Sequence, residues 1–318
     1  MAPISRRDML KISGAAAGAV ALGSSVVGCS SDSAAQVLAN PSQRNSLFAS
    51  LPPYIPGTET LGSGEMRITF LGTSCIPRLS QECNSVFVEV GSGDSFVFDC
   101  GSGVVAKYNA MGIPMSRMNK IFLTHLHGDH MSDLTHIYCF GPAEDRKSPL
   151  YVWGPCNSGF TYTDDNGNVR GPYEDGIRAY CEKFREVMRW HTESFSFGAT
   201  SYVNNPSDPG NWGLPTPAVP VGDDPPNDGF ALVPIELDWT KKGEEDGDNI
   251  AYYNKSTGVK ITHFPVIHCR RGSIGYKLEW NGLSMIFTGD TKPNYNLIDQ
   301  AKGVDVLIHE MVVPAEVW

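Results

Sequence analysis

The 318-residue chain has no run of lysine and arginine long enough to follow a phosphate backbone. It also lacks a Gly-x-Ser-x-Gly elbow in its catalytic region, an internal repeat, and zinc-finger spacing among its eight cysteines. Each absence removes a class. Without a basic stripe, a long polyanion loses its usual electrostatic footprint. Without the elbow, a nucleophilic serine lacks its strand-turn-helix mount. Without paired Cys-x-x-Cys spacing, a structural zinc knuckle is excluded. With 25 basic against 35 acidic side chains the formal net charge is −10, and the sequence pI is about 5.2. Histidine is scarce too, at eight residues, yet His125, His127 and His130 fall within six positions of one another.

Those three belong to Thr124-His125-Leu126-His127-Gly128-Asp129-His130, directly after the apolar run Ile121-Phe122-Leu123. Imidazole and carboxylate donors suit zinc and similar divalent ions, and two histidines two residues apart in an extended segment can face one ion. Gly128 permits a sharp turn, which sends Asp129 and His130 toward a neighbouring site. A solvated loop that is merely rich in histidine is the competing explanation, and the clustering of so rare a residue weighs against it. Downstream, Phe264 to His268, Gly275 to Leu278, Met285 to Thr291 and Val306 to Glu310 repeat one pattern: an apolar strand-like run closed by a polar ligand candidate. Upstream, Phe70-Leu71-Gly72-Thr73 and Phe96-Val97-Phe98-Asp99-Cys100-Gly101 do the same.

The N-terminus carries an address. Ser5-Arg6-Arg7-Asp8-Met9-Leu10-Lys11 reads as a twin-arginine export signal, and the Ala/Gly-rich run from Ile12 to Val27 is too short and small-sided for a membrane span. Val26-Val27-Gly28-Cys29 resembles a lipoprotein cleavage site, with Cys29 as the acylated first residue; ordinary cleavage to a soluble protein is the alternative. Without residues 1–29 the chain keeps 22 basic and 34 acidic side chains, a net of −12. Seven cysteines then remain for a compartment that permits disulfides, an odd number; Cys75 and Cys83 are the expected bridge, with buried free thiols the alternative.

Residues 30–65 read as a tether and irregular entry segment, and a single folded domain is expected over 66–318. Strand-like runs at 66–71, 85–90, 95–99 and 120–124, with a helix near 102–111, make an α/β pattern. A helix is expected over 131–140 from the spacing of Leu134, Ile137 and Tyr138, and a strand and turn over Leu150 to Pro155. An amphipathic helix is expected over 173–191, packing Ile177, Tyr180, Cys181, Phe184, Val187, Met188 and His191. Between 203 and 229 the chain is dense in Pro, Asn, Asp and Gly, as in a lid, a rim or a solvated excursion.

Taken together and in this order, the motifs resemble the metallo-β-lactamase fold. More narrowly, they resemble its branch of ribonuclease Z, metal-dependent arylsulfatases and related phosphodiesterases. The resemblance covers residues 66 to 318 in outline and implies an αββα sandwich. It implies His125, His127 and His268 as ligands of a first ion, Asp129 and His130 on the side of a second, and Asp290 as the bridging carboxylate. Two divalent ions follow, zinc first and manganese or iron as alternatives, with Asp99 bracing the site. Asp129 would orient the attacking hydroxide that such a pair of ions shares, or take the proton of its parent water. Arg270 and Arg271 are candidates to grip a sulfate or phosphate, against the plainer reading of two exposed charges.

Two departures from that family shape the expectation. Ribonuclease Z has a long arm for transfer RNA, often inserted between the Gly-Tyr and Gly-Asp-Thr strands, whereas here Glu279-Trp280-Asn281-Gly282 leaves room only for a tight hairpin. Relatives also continue past the His-Glu motif, here His309-Glu310, to a last metal-binding histidine. This chain stops at Trp318, so a domain truncated at the C-terminus is expected, with Glu310 lacking the partner through which it would protonate a leaving group. The resulting expectation is an exported, periplasmic or envelope-anchored binuclear hydrolase of small esters, arylsulfate or phosphodiester. It would have no nucleic-acid partner and would touch the membrane only through Cys29. A lactonase or β-lactamase-type hydrolase, and a non-catalytic metal-binding protein of the same fold, are the alternatives.

Overall fold

The computed structural model describes residues 59–79, 81–196, 228–243 and 247–311. The leader, Cys29, residues 30–58 of the tether, residues 203–227 of the Pro- and Asn-rich segment, and residues 312–318 lie outside the described residues. The chain lays down β1 (Met66–Gly72), β2 (Ser85–Val90) and β3 (Ser95–Phe98), then α1 (Val104–Ala110), a 3-10 turn (Met115–Met118) and β4 (Lys120–Phe122). The one-turn α2 (Gly128–Met131), α3 (Leu134–Glu144) and β5 (Leu150–Pro155) follow, then a small hairpin of β6 (Tyr162–Thr163) and β7 (Val169–Arg170) and the helices α4 (Ile177–Val187) and α5 (Arg189–Ser196). The second half adds β8 (Leu232–Leu237), β9 (Ile250–Asn254), β10 (Val259–Pro265), β11 (Ile274–Trp280), β12 (Leu283–Phe287), α6 (Tyr295–Ala301) and β13 (Val306–Ile308).

Among the described residues, two large sheets form, in the orders β1-β2-β3-β4-β5-β8 and β13-β12-β11-β10-β9. Strand alternation decides what lies between them. In β2, Val86 and Val88 face the core shared by the two sheets, while Phe87 faces the helices. β4 divides Phe122 from Ile121 in the same way, and β12 sends Met285 and Phe287 inward but Ile286 outward, onto Leu297 of α6. Tyr108, Ile137 and Phe184 from α1, α3 and α4 close the outer face of the first sheet, which gives the expected order of helix, sheet, sheet, helix. The inter-sheet core is aromatic: Phe122 and Trp153, paired across β4 and β5, stack at 4.5 Å, and Tyr276 meets Phe122 edge-on at 5.4 Å.

Parallel pairing sets the position of the site. β3, β4, β5 and β8 run parallel, and so do β12 and β13; β10, antiparallel to β11, shares their direction. The carboxyl ends of β3 and β4 therefore lie together, as do those of β10, β12 and β13, the usual place for a site in α/β sheets. Two bonds tie these ends across the sandwich: the Tyr276 hydroxyl donates to the Leu123 carbonyl at 2.7 Å, and the Ile274 amide donates to the Thr124 carbonyl at 3.0 Å. β11 and β12 are joined through Asn281 and Gly282, both at positive φ (50° and 74°), a two-residue turn whose twist matches the flanking strands.

Two local expectations need correction. The helix expected over 173–191 is two helices that part at Met188, so Val187 is 73% exposed and takes no part in the core, whereas Ile177, Cys181 and Phe184 are buried as their spacing requires. Cys75 and Cys83 are not bridged. Cys75 is exposed while Cys83 is buried beneath the first sheet's loops, and all seven described cysteines are free thiols.

Arg146 is the largest fully buried side chain. Its guanidinium donates to the carbonyls of Ile137 (2.6 Å) and Tyr138 (3.2 Å) in α3 and to Gly229 (3.0 Å), clamping that helix to the segment that enters β8. Burial lowers its pKa to about 10, so the side chain stays charged at neutral pH. Removing it takes a charged donor from three buried carbonyls, so Arg146→Ala should lower unfolding free energy by about 3 kcal/mol. Urea denaturation followed by circular dichroism measures this directly, and a loss below about 1 kcal/mol would show the clamp to be dispensable.

Candidate metal centre

The metal-loop motif lies where β4 ends. Thr124 and His125 are buried at the strand's carboxyl end, and the backbone then turns into α2, which presents Asp129 and His130. His125 Nε2 comes within 2.9 Å of His127 Nδ1, and His268 Nε2, delivered from beyond β10, reaches the same His127 nitrogen at 3.2 Å. Beside this group, His130 Nε2 lies 3.2 Å from Asp290 Oδ1, 3.3 Å from Asp129 Oδ2 and 3.2 Å from Asn84 Nδ2. The His125 and His130 rings sit 4.1 Å apart and join the two groups. Two sets of donor atoms, His125 with His127 and His268, and His125 with His130 and Asp290, each gather within 4.8 Å.

Converging imidazole nitrogens repel through their lone pairs unless a proton or a cation sits among them, and three such nitrogens with a carboxylate alongside match what a divalent transition metal takes. The donor set therefore fits a metal ion. Burial, helped by the neighbouring imidazoles, pushes the His125 pKa down to about 2, so it offers a neutral nitrogen at any ordinary pH. Burial would also depress His130, but the Asp99 carboxylate and the hydrogen bonds to Asp129, Asp290 and Asp99 outweigh it and raise the pKa to about 12. Burial pushes the Asp290 pKa up, but the bond to His130 and the charges of His130, His125 and His268 together outweigh it and hold the carboxylate below its usual range.

Asp99 braces this arrangement. Fully buried and at φ 56°, it directs Oδ1 to the Thr124 amide (2.8 Å) and Oδ2 to the Thr124 hydroxyl (2.8 Å) and to His130 Nδ1 (2.7 Å). Thr124 in turn places its hydroxyl 3.1 Å from His125 Nδ1. One carboxylate thus fixes ring orientation in both donor groups. A β-carbon at Gly289 would lie 2.5 Å from the Thr124 hydroxyl oxygen, so only glycine lets the β12 loop approach closely enough to bring in Asp290.

Two clefts open on the centre. One, about 530 Å³, is lined by His130, Asp290, Asn84 and Glu310. There Glu310 accepts a short hydrogen bond from the Thr291 amide, and burial, with Asp290 nearby, raises its pKa. The other, about 110 Å³, is lined by His125, His127, His268, Asp175, Arg270 and Arg271. Arg270 is paired with Asp175 and lies over the Phe160 ring, so its charge is already committed, whereas Arg271 is exposed at the cleft edge. Sequence reasoning missed Asn84, which has no motif signal, and Thr124, which stood in the motif but was not given a role. The Asp175 partner of Arg270 lies 95 positions away and was not visible either.

Comparison with known proteins bears on the fold. Among solved structures, human tRNase Z, short form, superposes with a TM-score of 0.52 at 19% identity, covering 79% of this chain and 80% of that one. The chain has the metallo-β-lactamase fold, and its relatives are ribonuclease Z-like. Ribonuclease BN of Proteus mirabilis is 25% identical over 269 residues, 77% of this chain and 76% of the relative. Ribonuclease Z of Pyrococcus furiosus is 25% identical over 257 residues, 77% of this chain and 74% of the relative. The family model for anti-Pycsar protein Apyc1 matches residues 66–155, and the twin-arginine signal model matches residues 3–23.

These relatives overturn the expectation of a small-ester substrate with no nucleic-acid partner, because they are named as enzymes of RNA. That expectation rested on the tight Glu279–Gly282 hairpin, the export signal and the net charge, and a negative total says little about the field at one cleft.

Replacing Asp99 with Ala removes the acceptor for both Thr124 and His130 and should weaken metal affinity roughly 10- to 100-fold. Asn tolerates positive φ, so Asp99→Asn separates loss of charge from backbone relief. Competition with a chromophoric chelator measures both variants, and wild-type affinity in Asp99→Ala would remove the bracing role.

Proposed function

We propose that this protein is an exported, metal-dependent phosphodiester hydrolase acting on RNA. The observation that carries the reading is the convergence of His125, His127 and His268 with His130 and Asp290, each donor group within 4.8 Å, at the carboxyl ends of strands from both sheets. The ribonuclease relatives support RNA over an aryl sulfate as the substrate class. In this reading His125, His127 and His268 would hold one divalent ion and Asp129, His130 and Asp290 a second, with zinc the best match to the donors. A bound pair of such ions would lower the pKa of water and hold the oxygens of the phosphoryl group.

The chain's own residues do the rest. Asp129, half-exposed beside His130, accepts the proton of the attacking water. Glu310, raised in pKa at the rim of the larger cleft, is suited to return a proton to the leaving oxygen. Arg271 contributes positive charge at the smaller cleft, where a phosphate would enter. The twin-arginine signal supports export, and a lipid anchor at Cys29 would keep the enzyme at the cell envelope.

Metal content by elemental analysis, with hydrolysis of short RNA, bis-p-nitrophenyl phosphate, p-nitrophenyl sulfate and a lactone, tests the reading. About two ions per chain are expected, with phosphodiester turnover that falls at least ~10³-fold in Asp290→Ala. Turnover of the sulfate or the lactone alone would move the assignment to another ester class, and no turnover with metal bound would make the protein a binder. For the anchor, Cys29→Ala should abolish labelling by a fatty-acid analogue and release the exported protein from membranes; unchanged fractionation would mean that Cys29 carries no lipid.

A further inference from the structure

Among the described residues, the β6–β7 hairpin between β5 and α4 pairs with neither large sheet. It leaves the domain at Asn157 and Ser158 and returns at Asp175 and Gly176, and these feet are bolted together. Asn157 Oδ1 accepts from the amides of Asp175 (3.0 Å) and Gly176 (2.7 Å), while Asp175 accepts from the Ser158 amide (2.8 Å) and hydroxyl (2.7 Å). Its tip is also fixed, because Asp164 accepts from the amides of Asn166 (3.0 Å) and Asn168 (2.9 Å) and from Arg170 Nε (2.8 Å). A loop this firmly held is a preorganised surface rather than a slack connection.

That surface carries aromatic rings in water. Phe160, Tyr162 and Tyr173 are 47%, 48% and 37% exposed, and their rings are nearly parallel: Tyr162 and Tyr173 at 11° with centroids 6.3 Å apart, Phe160 and Tyr173 at 21° and 6.2 Å. Three parallel rings facing solvent and packed against no core mark a recognition surface. The strip is continuous with the candidate metal centre. The Arg270 guanidinium lies 5.5 Å over the Phe160 ring and pairs with Asp175, and both residues line the smaller cleft opposite His125, His127 and His268.

We infer that the Phe160, Tyr162 and Tyr173 strip is a stacking platform for an unpaired base of the RNA strand whose phosphodiester lies at the metal centre, with Arg271 at the cleft edge taking the adjoining phosphate. This rests on the function proposed above. Aromatic rings stack on any base because every base has a π-face, which suits a substrate recognised by its strand rather than its sequence. Arg271, in the lining of the adjoining cleft, supplies the anion contact that a nucleotide, unlike a plain apolar ligand, would use.

The test compares cleavage, by the metal-loaded protein, of an end-labelled single-stranded RNA with cleavage of the same strand carrying abasic riboses. Wild type should prefer the base-bearing strand in kcat/KM by roughly tenfold or more, the scale of one stacked base. The preference should collapse to less than about threefold in Phe160→Ala and Tyr162→Ala, mainly through KM, and persist in Tyr162→Phe, which keeps the ring. Metal content should stay at the wild-type value in every variant, since none of these side chains is a candidate metal ligand. If the alanine variants keep the wild-type preference, the platform is wrong while the RNA hydrolase reading stands. If wild type cleaves neither strand, the RNA reading fails and the platform falls with it.

Discussion

The structure turns on one buried carboxylate. Asp99 lies at the end of β3 in a left-handed backbone conformation, unusual for a residue with a side chain, and it accepts hydrogen bonds from Thr124 at the end of β4 and from His130 in α2. A fully buried carboxylate is costly unless each oxygen is used, and here both are. In return it aligns a strand end, the turn that follows and one of the donor rings. Without it, His130 would have no partner behind the ring, and Thr124 would be free to rotate away from His125.

Around that fixed point the sandwich supplies donors from opposite sides. His125, His127, Asp129 and His130 belong to the first sheet's loop, whereas His268 and Asp290 arrive from the ends of β10 and β12 in the second. Register between the two groups depends on how the sheets dock, which the Tyr276 and Ile274 bonds to the end of β4 and the close approach of Gly289 to Thr124 determine. The aromatic core under the site, with Phe98, Phe122, Trp153 and Tyr276 in ring contact, stiffens that docking because densely packed rings leave little room for sliding.

Much of this was legible in the residues, and the exceptions have physical causes. Buried strands announced themselves as apolar runs ending in polar residues, so β2, β3, β4, β5 and β12 lay close to where the pattern put them. The Asn281-Gly282 turn was readable because only such residues take positive φ at both positions. The clustering of histidine pointed to His125, His127 and His130, and the order of the later motifs pointed to His268 and Asp290. What escaped was whatever depends on contacts distant in sequence. The break at Met188 leaves no mark in a helical periodicity that continues through it, and the Arg270 pair with Asp175 joins residues with no shared motif. The burial of Arg146 likewise depends on carbonyls of α3 and of Gly229, 83 positions on. Substrate class was misjudged for a related reason, since composition averages over a surface whereas binding samples one patch.

The division of donors between two sheets has a consequence for which element the protein would carry. A centre whose ligands meet only after both sheets have docked cannot be assembled piecemeal on an unfolded chain, so capture of an ion belongs to the last stage of folding. Transport by the twin-arginine route moves proteins that have already folded. The choice among zinc, manganese and iron would then follow the free-ion levels of the cytoplasm, where the sandwich closes, rather than those of the compartment in which the protein works.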